Sequence, residues 1–313
     1  MQQSASSEPQ NTNEHLQRNT MNIKLNISLL LISVLWAMGL SAQTAEKYEQ
    51  RYNLLLSQFG PAGVGVETVL DKWAEVDSTS SQLLYARFRF YFTKAQTTSV
   101  VVRQEKKYLG MDPLLSLKDS LGRNVYYYQV NEFDDHLYGQ AIKVIDKAIS
   151  RYPDRLDLRF VKANAYIAYE KESPDMALSY LTGLVDVDQK KTWPWLYEGD
   201  KVEDGFFEDS MQEYCYSFYS IGTPSSMKAF LILSEKMVGL YPEHLEYLNN
   251  IGSYHLISKD DPKTALKWYS KVLKKNPKDG NALQNSIVAA RRLKNAKLEK
   301  KYRDRLDALN KDK

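Results

Sequence analysis

Residues Ile251–Tyr269 read IGSYHLISKDDPKTALKWY, and a related stretch stands 88 residues earlier, Ala163–Leu181, ANAYIAYEKESPDMALSYL. Aligned without a gap, the two share Tyr166/Tyr254, Lys171/Lys259, Pro174/Pro262, Ala177/Ala265 and Leu178/Leu266. Five identities in nineteen positions compare with about one expected from composition. In each copy a helical face runs into a short polar turn, and a proline then opens a second helical face. Proline is tolerated there because its missing N–H would be unpaired in the first turn anyway. The chain is therefore read as a series of helix pairs.

Composition agrees. The 313 residues are 43% hydrophobic and 26% charged, the balance of a folded chain and not of a disordered one. Twenty-two tyrosines stand against 14 glycines and 10 prolines, which favours long helices packed through large side chains. A formal charge of +3 is too small to argue for nucleic acid as the partner. The single cysteine, Cys215, lies in EYCYSFYS and forms no intrachain disulfide; with no basic neighbour in sequence it reads as a buried structural thiol.

At the N-terminus, residues 1–20 are a polar leader without an apolar period, and Met21 behind them is a candidate initiator, so that the leader need not be translated. Residues 21–42 have the three parts of a signal peptide: Lys24, the apolar run Ile27–Leu40, and the small Ser41 and Ala42 before Gln43. A run of fourteen residues is short of the roughly 20 that span a bilayer. Cleavage after Ala42 and retention as an uncleaved anchor are the two outcomes. The one Asn-x-Ser/Thr triplet, Asn26-Ile27-Ser28, falls inside this segment. A chain with no other sequon and no possible disulfide suits bacterial export, to the periplasm or outside the cell.

From Tyr48 the spacing predicts helices over Tyr48–Phe59, Val66–Ala74 and Ser81–Lys94, the last with Leu84, Tyr85, Phe88 and Phe92 on one face. GPAGVG at 60–65 follows a helix, not a strand, so it is an inter-helix loop and no phosphate cradle. Between Thr97 and Phe133 the helical period disappears. Val100–Val102 and Val125–Val130 are β-branched or aromatic around the turn Asp119–Arg123, which predicts a β-hairpin insertion outside the stacked core. Asp134 and Asp135 then cap a helix closing on Pro153. The next equivalent proline, Pro242, lies 89 residues on, two units plus about 21 residues. The surplus is placed at Val187–Phe207. Helices are expected to resume as Glu208–Ser220 and Ser225–Tyr241, then Glu243–Lys259 and Pro262–Lys275, with residues 280–313 as a C-terminal cap.

The order Gly252, Tyr254, Ala265, Tyr269, Pro277 resembles the tetratricopeptide repeat, with its small, aromatic, Ala, aromatic and Pro positions. The resemblance covers most of Asp134–Pro277, and reaches Tyr48–Lys94 and the C-terminal pair by helix pattern alone. It departs from the family in that no tryptophan begins either unit; the small position is taken by Ala163 and Gly252. It implies an all-α, right-handed α-solenoid of antiparallel helix pairs over 43–313, interrupted at 97–133 and 187–207. It also implies a non-catalytic scaffold for a protein or peptide. Family members that grip a peptide carboxylate use Lys and Asn on first helices. Asn249, Asn250, Asn281 and Asn285 suit the amide roles, but the partnering Lys-x-x-x-Asn is missing.

No enzyme motif rises from the sequence: GxSxG, CxxC, HExxH and Walker patterns are absent, and no cofactor or metal set is expected. His136, His244 and His255 have no metal-pair spacing. Asp186-Val187-Asp188 opens like a calcium loop, but Lys191 and Tyr197 occupy the positions that need glycine and glutamate. Partner contacts are expected from Tyr166, Tyr216, Tyr219 and Tyr254, with Tyr247 beside them, because tyrosine offers contact area with a polar tip. Trp193 and Trp195, stiffened by Pro194, are the anchors of a second candidate surface. Around them Asp186–Asp209 holds eight acidic residues and three lysines, a net of −5. For all of these the competing reading is packing within the array. Arg291–Lys313 carries ten Lys/Arg against four Asp/Glu, a net of +6, with Leu298, Tyr302, Leu306 and Leu309 at helical spacing. That is a solvated cap or a basic amphipathic helix. Membrane contact is expected only through this helix or through residues 27–40. Three functions are open: an exported binding scaffold, a structural part of an envelope assembly held by an uncleaved signal or the C-terminal helix, and an enzyme of unrecognised type.

Overall fold

The computed structural model describes residues 44–311. The leader, the run Ile27–Leu40 and the cut after Ala42 lie outside the described residues. The chain divides into two compact units, one up to Thr93 and one from Lys94 onward, where a single repeat domain from residue 43 was expected.

The first unit holds α1 over 44–59, α2 (Val66–Val76) and α3 (Ser81–Lys94). Tyr52 and Leu55 of α1, Leu70 and Trp73 of α2, and Leu83, Ala86 and Phe90 of α3 form one buried cluster. On α3 this corrects the expected stripe: Leu83 and Phe90 join the cluster, whereas Tyr85 is exposed. The GPAGVG loop turns on Gly60 and Gly65, both at positive φ, as an inter-helix loop should.

The second unit opens with a sheet. The two β-branched runs pair with each other as β1 (Gln96–Arg103) and β3 (Asn124–Phe133), in register Val101 to Tyr128. The Asp119–Arg123 turn needs a strand of its own in front of β3, and Leu115–Lys118 supplies it as β2. The insertion is therefore a three-stranded antiparallel sheet, ordered β1-β3-β2, where a hairpin was expected. Nor does it stand free of the array. Tyr128 and Val130 on one face of β3 are buried. Tyr108 in the β1–β2 loop donates to Glu172 beyond α5 at 2.8 Å.

The helices follow as α4 (Asp135–Arg151), then the pairs α5 (Leu156–Glu170) with α6 (Asp175–Lys190), α7 (Phe206–Ile221) with α8 (Pro224–Leu240), α9 (Leu245–Ile257) with α10 (Pro262–Lys275), and α11 (Gly280–Arg292) with α12 (Ala296–Lys311). Each pair touches the next through α6–α8, α7–α9, α10–α11 and α9–α11. The starts are chemically marked. Asp134, Thr223, Asp261 and Asp279 each accept a backbone N–H in the first turn, and Pro224 and Pro262 follow two of them. For α6, Glu170 of the preceding helix takes the free N–H groups of Met176 and Ala177 at 2.5 and 2.9 Å. Two apolar clusters run through the array, one from α5 to α9 and one from α9 to α12.

The two related stretches differ where they pack. A Cβ on Gly252 would lie 2.5 Å from the Tyr269 ring, so the glycine lets α9 close on α10. In the earlier copy Asn164 and Leu181 hold those places, and Asn164 is exposed. The residue-163 assignment of the small position is corrected accordingly: Ala163 aligns with Ile251, and both are buried.

The surplus is shorter than expected. α6 continues through Lys190 and α7 begins at Phe206, so the irregular part is 191–205. It contains a two-residue ladder, β4 (Leu196–Tyr197) with β5 (Asp200–Lys201), turning on Glu198 and Gly199, both at positive φ. Trp195 is 3% exposed, its ring stacked on Phe207 at 6.3 Å. Its indole N–H donates to Asp188 Oδ1 at 2.8 Å. As a partner anchor Trp195 is therefore corrected: an apolar ring with one polar tip finds both needs met inside the unit. Trp193 is 37% exposed. At the far end α12 uses Leu298, Tyr302, Leu306 and Leu309 against the α9–α12 cluster.

Two stability outcomes follow from these contacts. Gly252→Ala is expected to lower unfolding free energy by about 1–3 kcal/mol, since the Tyr269 ring must move; denaturant titration reads it, and an unchanged midpoint would contradict the close contact. Trp195→Ala should cost about 3–5 kcal/mol and Trp193→Ala no more than about 0.5. Equal losses in the two variants would mean that their burial has been misassigned.

Candidate peptide-binding groove

The first helices α7, α9 and α11 lie side by side and share a groove. Its polar half is a cavity of about 340 Å³. Gln212 of α7, Asn249 and Asn250 of α9, and Asn281 and Asn285 of α11 line it together with the carboxylates of Glu246 and Asp279. Helical spacing explains the gathering. Residues three and four apart share a face, so Asn281 and Asn285 project together, and Gln212 precedes Tyr216 by one turn.

Some of these amides are already engaged. Asn250 Nδ2 donates to Gln212 Oε1 at 2.8 Å, and Gln212 Nε2 returns a longer bond of 3.4 Å. Asn285 reaches Ser253 Oγ only at 3.5 Å. Asn249 is 8% exposed; its Nδ2 donates weakly to Asp279 at 3.4 Å, and its Oδ1 is buried without a partner.

The second half is a cleft of about 640 Å³ that shares Tyr216 and Tyr219 with the first. Its floor is Tyr254 and Met227, and Ile257 and Lys259 from the end of α9 stand opposite the α7 terminus. Lys107 and Gly110 of the β1–β2 loop form its remaining wall. That wall is seated tightly: Gly110 has φ +77, and a Cβ there would lie 2.3 Å from the Ser220 carbonyl oxygen. Arg103 lies over the Tyr108 ring at 4.7 Å, and Tyr108 packs against Tyr128 at 5.6 Å, which stiffens the loop.

Three of the seven residues weighed as contacts thus meet: Tyr216, Tyr219 and Tyr254. Tyr216 is 61% exposed, Tyr219 leans on Phe230 at 5.4 Å, and Tyr254 is largely buried with its face toward Lys259 at 5.7 Å. Tyr166 is placed elsewhere, edge-on to Tyr180 at 5.8 Å in a shallow depression. Trp193 and Trp195 do not line the groove. Tyr247 is buried and donates to the Glu208 carbonyl, so it packs the array. The four asparagines noted for a carboxylate grip do converge, but no lysine lines their half. The wall built by the insertion had no sequence signal, because it depends on how the sheet docks.

The Cys215 thiol is fully buried beneath Ser234, and burial pushes it up to about 12, which disfavours the reactive thiolate. Among the described residues no group of three or more His, Cys, Asp or Glu is placed to hold a metal ion.

No family model matches the chain, and no curated protein matches it. Among solved structures it is similar to MamA from Desulfovibrio magneticus RS-1, at 16% identity over 75% of this chain and 96% of that one, with a TM-score of 0.35. It is similar to YrrB, described as a TPR protein with an unusual peptide-binding site, at 16% identity over 78% and 96%, TM-score 0.35. It is also similar to pilF of Pseudomonas aeruginosa, at 11% identity over 86% and 77%, TM-score 0.28. These superpositions are loose, and the architecture rests on this chain's own helix pairs. Each pair is covered by its neighbours and the first helices share one groove, so residues 135–311 form an array of antiparallel helix pairs, all-α apart from the β insertions.

Proposed function

We propose that the chain is a non-catalytic scaffold that binds an extended peptide or protein segment in the α7–α9–α11 groove, and that it works after export, in the periplasm, the envelope or outside the cell. The row of amides on first helices carries this reading. An extended backbone presents an N–H and a C=O at every residue, and Asn and Gln can answer both. Tyr216 and Tyr219 add large contact area at little entropic cost.

Export rests on the segment 21–42, with Lys24, Ile27–Leu40 and the small residues before Gln43. The envelope-component alternative needs an anchor. A membrane-lying C-terminal helix is disfavoured because its apolar stripe packs against α11 and its neighbours. Among the described residues no helix is long and apolar enough to cross a membrane. An uncleaved 21–42 segment is the anchor left to that reading.

Asn281 and Asn285 make few internal bonds, so Asn281→Ala with Asn285→Ala tests the groove without unfolding it. Octapeptides selected from a random pool on the native protein should bind the double variant about tenfold or more weakly, from two lost hydrogen bonds of about 1 kcal/mol each. The thermal midpoint should hold. Unchanged affinity would move the binding surface away from α11. For export, the intact mass of protein recovered from the producing cell should correspond to a chain beginning at Gln43, and retention of residues 21–42 would favour the anchored alternative.

A further inference from the structure

One lane of the β insertion is left open. Asp134 N donates to the Ala95 carbonyl at 2.8 Å, and antiparallel partners exchange bonds at every second residue, so Tyr126, Tyr128, Val130 and Glu132 bond to β1. The residues between them face the other way. There Tyr127 accepts from Leu114 N at 2.8 Å, and Arg123 accepts from Asp119 N at 2.9 Å. Gln129 and Asn131 belong to the same set, but β2 pairs only as far as Tyr127. Continued by two residues, its register would set Pro113, which has no N–H to donate, against Gln129. Before Pro113 the chain turns through Leu109 and Gly110, both at positive φ. Among the described residues nothing bonds the main-chain N–H and C=O of Gln129 and Asn131 on that side.

A cavity of about 580 Å³ lies along this stretch of β3, lined by Tyr128, Gln129, Val130 and Asn131. Met111, Leu114, Ile167 and Ile221 give it apolar surface, and Asp112 and Lys171 add one charge of each sign, which leaves no net charge to select a ligand. It shares no lining residue with either half of the α7–α9–α11 groove. Residues opposite each other on neighbouring strands share a face, so a residue placed beside Tyr128 or Val130 takes the side on which both are buried. Water can answer the open main-chain groups, but it leaves the aliphatic lining uncovered. A strand answers both.

We propose that this lane receives a strand from a partner protein: an extended segment antiparallel to β3 and in line with β2, with aliphatic residues at alternate positions. The residues opposite Gln129 and Asn131 exchange main-chain bonds with them. The residues opposite Tyr128 and Val130 put aliphatic side chains into the cavity. Main-chain bonds then supply affinity, and the pocketed side chains supply the choice of partner. The lane stands whether or not the amide groove takes a ligand.

The probe is a pool of acetylated, amidated heptapeptides X-Φ-X-Φ-X-Φ-X, with Val, Ile or Leu at Φ and Thr, Ser or Gln at X. Binding to the full chain is read by fluorescence polarisation, and amide hydrogen exchange is followed at Gln129 and Asn131. Expected is a Kd on the order of 10–100 µM, little changed by salt because no ion pair carries it, with slowed exchange at both amides. N-methylation at X, whose N–H groups meet β3, should weaken binding about tenfold or more, and N-methylation at Φ should spare it. Asn131→Pro removes only the N–H that faces the lane, a change that edge strands accept, and should weaken binding as much. Asn281→Ala with Asn285→Ala should change nothing. The methylated peptides act on the native protein, so the result does not hinge on folding of the proline variant. No binding at about 1 mM, or equal effects of the two methylations, would overturn the strand site and leave the amide groove standing. So would binding that the double asparagine variant abolishes and Asn131→Pro leaves intact. Slow exchange at Gln129 and Asn131 before any peptide is added would mean that the chain itself, in one copy or two, fills the lane, and would overturn its assignment to a partner.

Discussion

At the end of α6 the repeat loses its period, and the Asp188 carboxylate is what the elements on both sides share. It accepts from the indole of Trp195 in the irregular segment and from the hydroxyl of Tyr241 at the end of α8, and it pairs with Lys191 at 2.8 Å. Gln189 Nε2 adds a bond to the same Tyr241 hydroxyl. Burial by itself would raise the Asp188 pKa; the Lys191, Tyr241 and Trp195 donors outweigh it and hold the carboxyl below its ordinary value. A group shifted this way stabilises the fold above its unfolded pKa, and the contribution fades as pH falls through the lowered folded value. A helix pair cannot bury its own faces, so each must be covered by the next. Across 191–205 no regular helix does the covering, and this polar knot with the Trp195 ring takes its place.

The groove inherits its shape from that junction. Trp195 stacks on Phe207 in the first turn of α7, and Arg159 of α5 lies over the Trp195 ring at 5.3 Å. The start of α7 is thereby tied to α5, and its direction is set before the chain reaches Tyr216 and Tyr219. At its other end α7 stops on Gly222 at positive φ, and Ser220 receives Gly110. One irregular segment seats the beginning of the helix and another closes on its end. The aromatic residues of the groove sit between two departures from the repeat.

The helix pairs were legible because their signals are local. Asp134, Pro174, Pro262 and the 3.6-residue period act within a few residues of themselves, and the helices appear close to where they point. The sheet was half legible: the valine and tyrosine runs announced strands, but the alternation of Leu115–Lys118 lasts only four residues and buries neither face, so its pairing with β3 alone marks it as a strand. Trp195 was misjudged for a related reason. An aromatic in an irregular acidic segment has the same sequence appearance whether a neighbour or a ligand covers it, and Asp188, seven residues away, decides the matter through a fold-back that period counting does not contain. Tyr216, Tyr219 and Tyr254 line one cleft because the first helices of the array lie side by side. That Lys107 and Gly110 line it too depends on where a loop of the sheet comes to rest.

Duplicated residues show why the irregular parts matter most for the chemistry. Lys171 and Lys259 occupy the same position in two copies, yet Lys171 caps α5 at positive φ while Lys259 lies beyond the Ser258 cap of α9. Their surroundings differ because one non-repeated loop gives Asp112 to the first and Lys107 to the second. The same holds for Gly252 and its counterpart Asn164: the repeat sets the position, and the partner across the helix pair, Tyr269 or Leu181, decides whether the helices can touch. The unpaired Asn249 acceptor, by contrast, sits on a regular first helix, in the row of amides that α7, α9 and α11 share, so the groove combines regular helices with a wall from the β1–β2 loop.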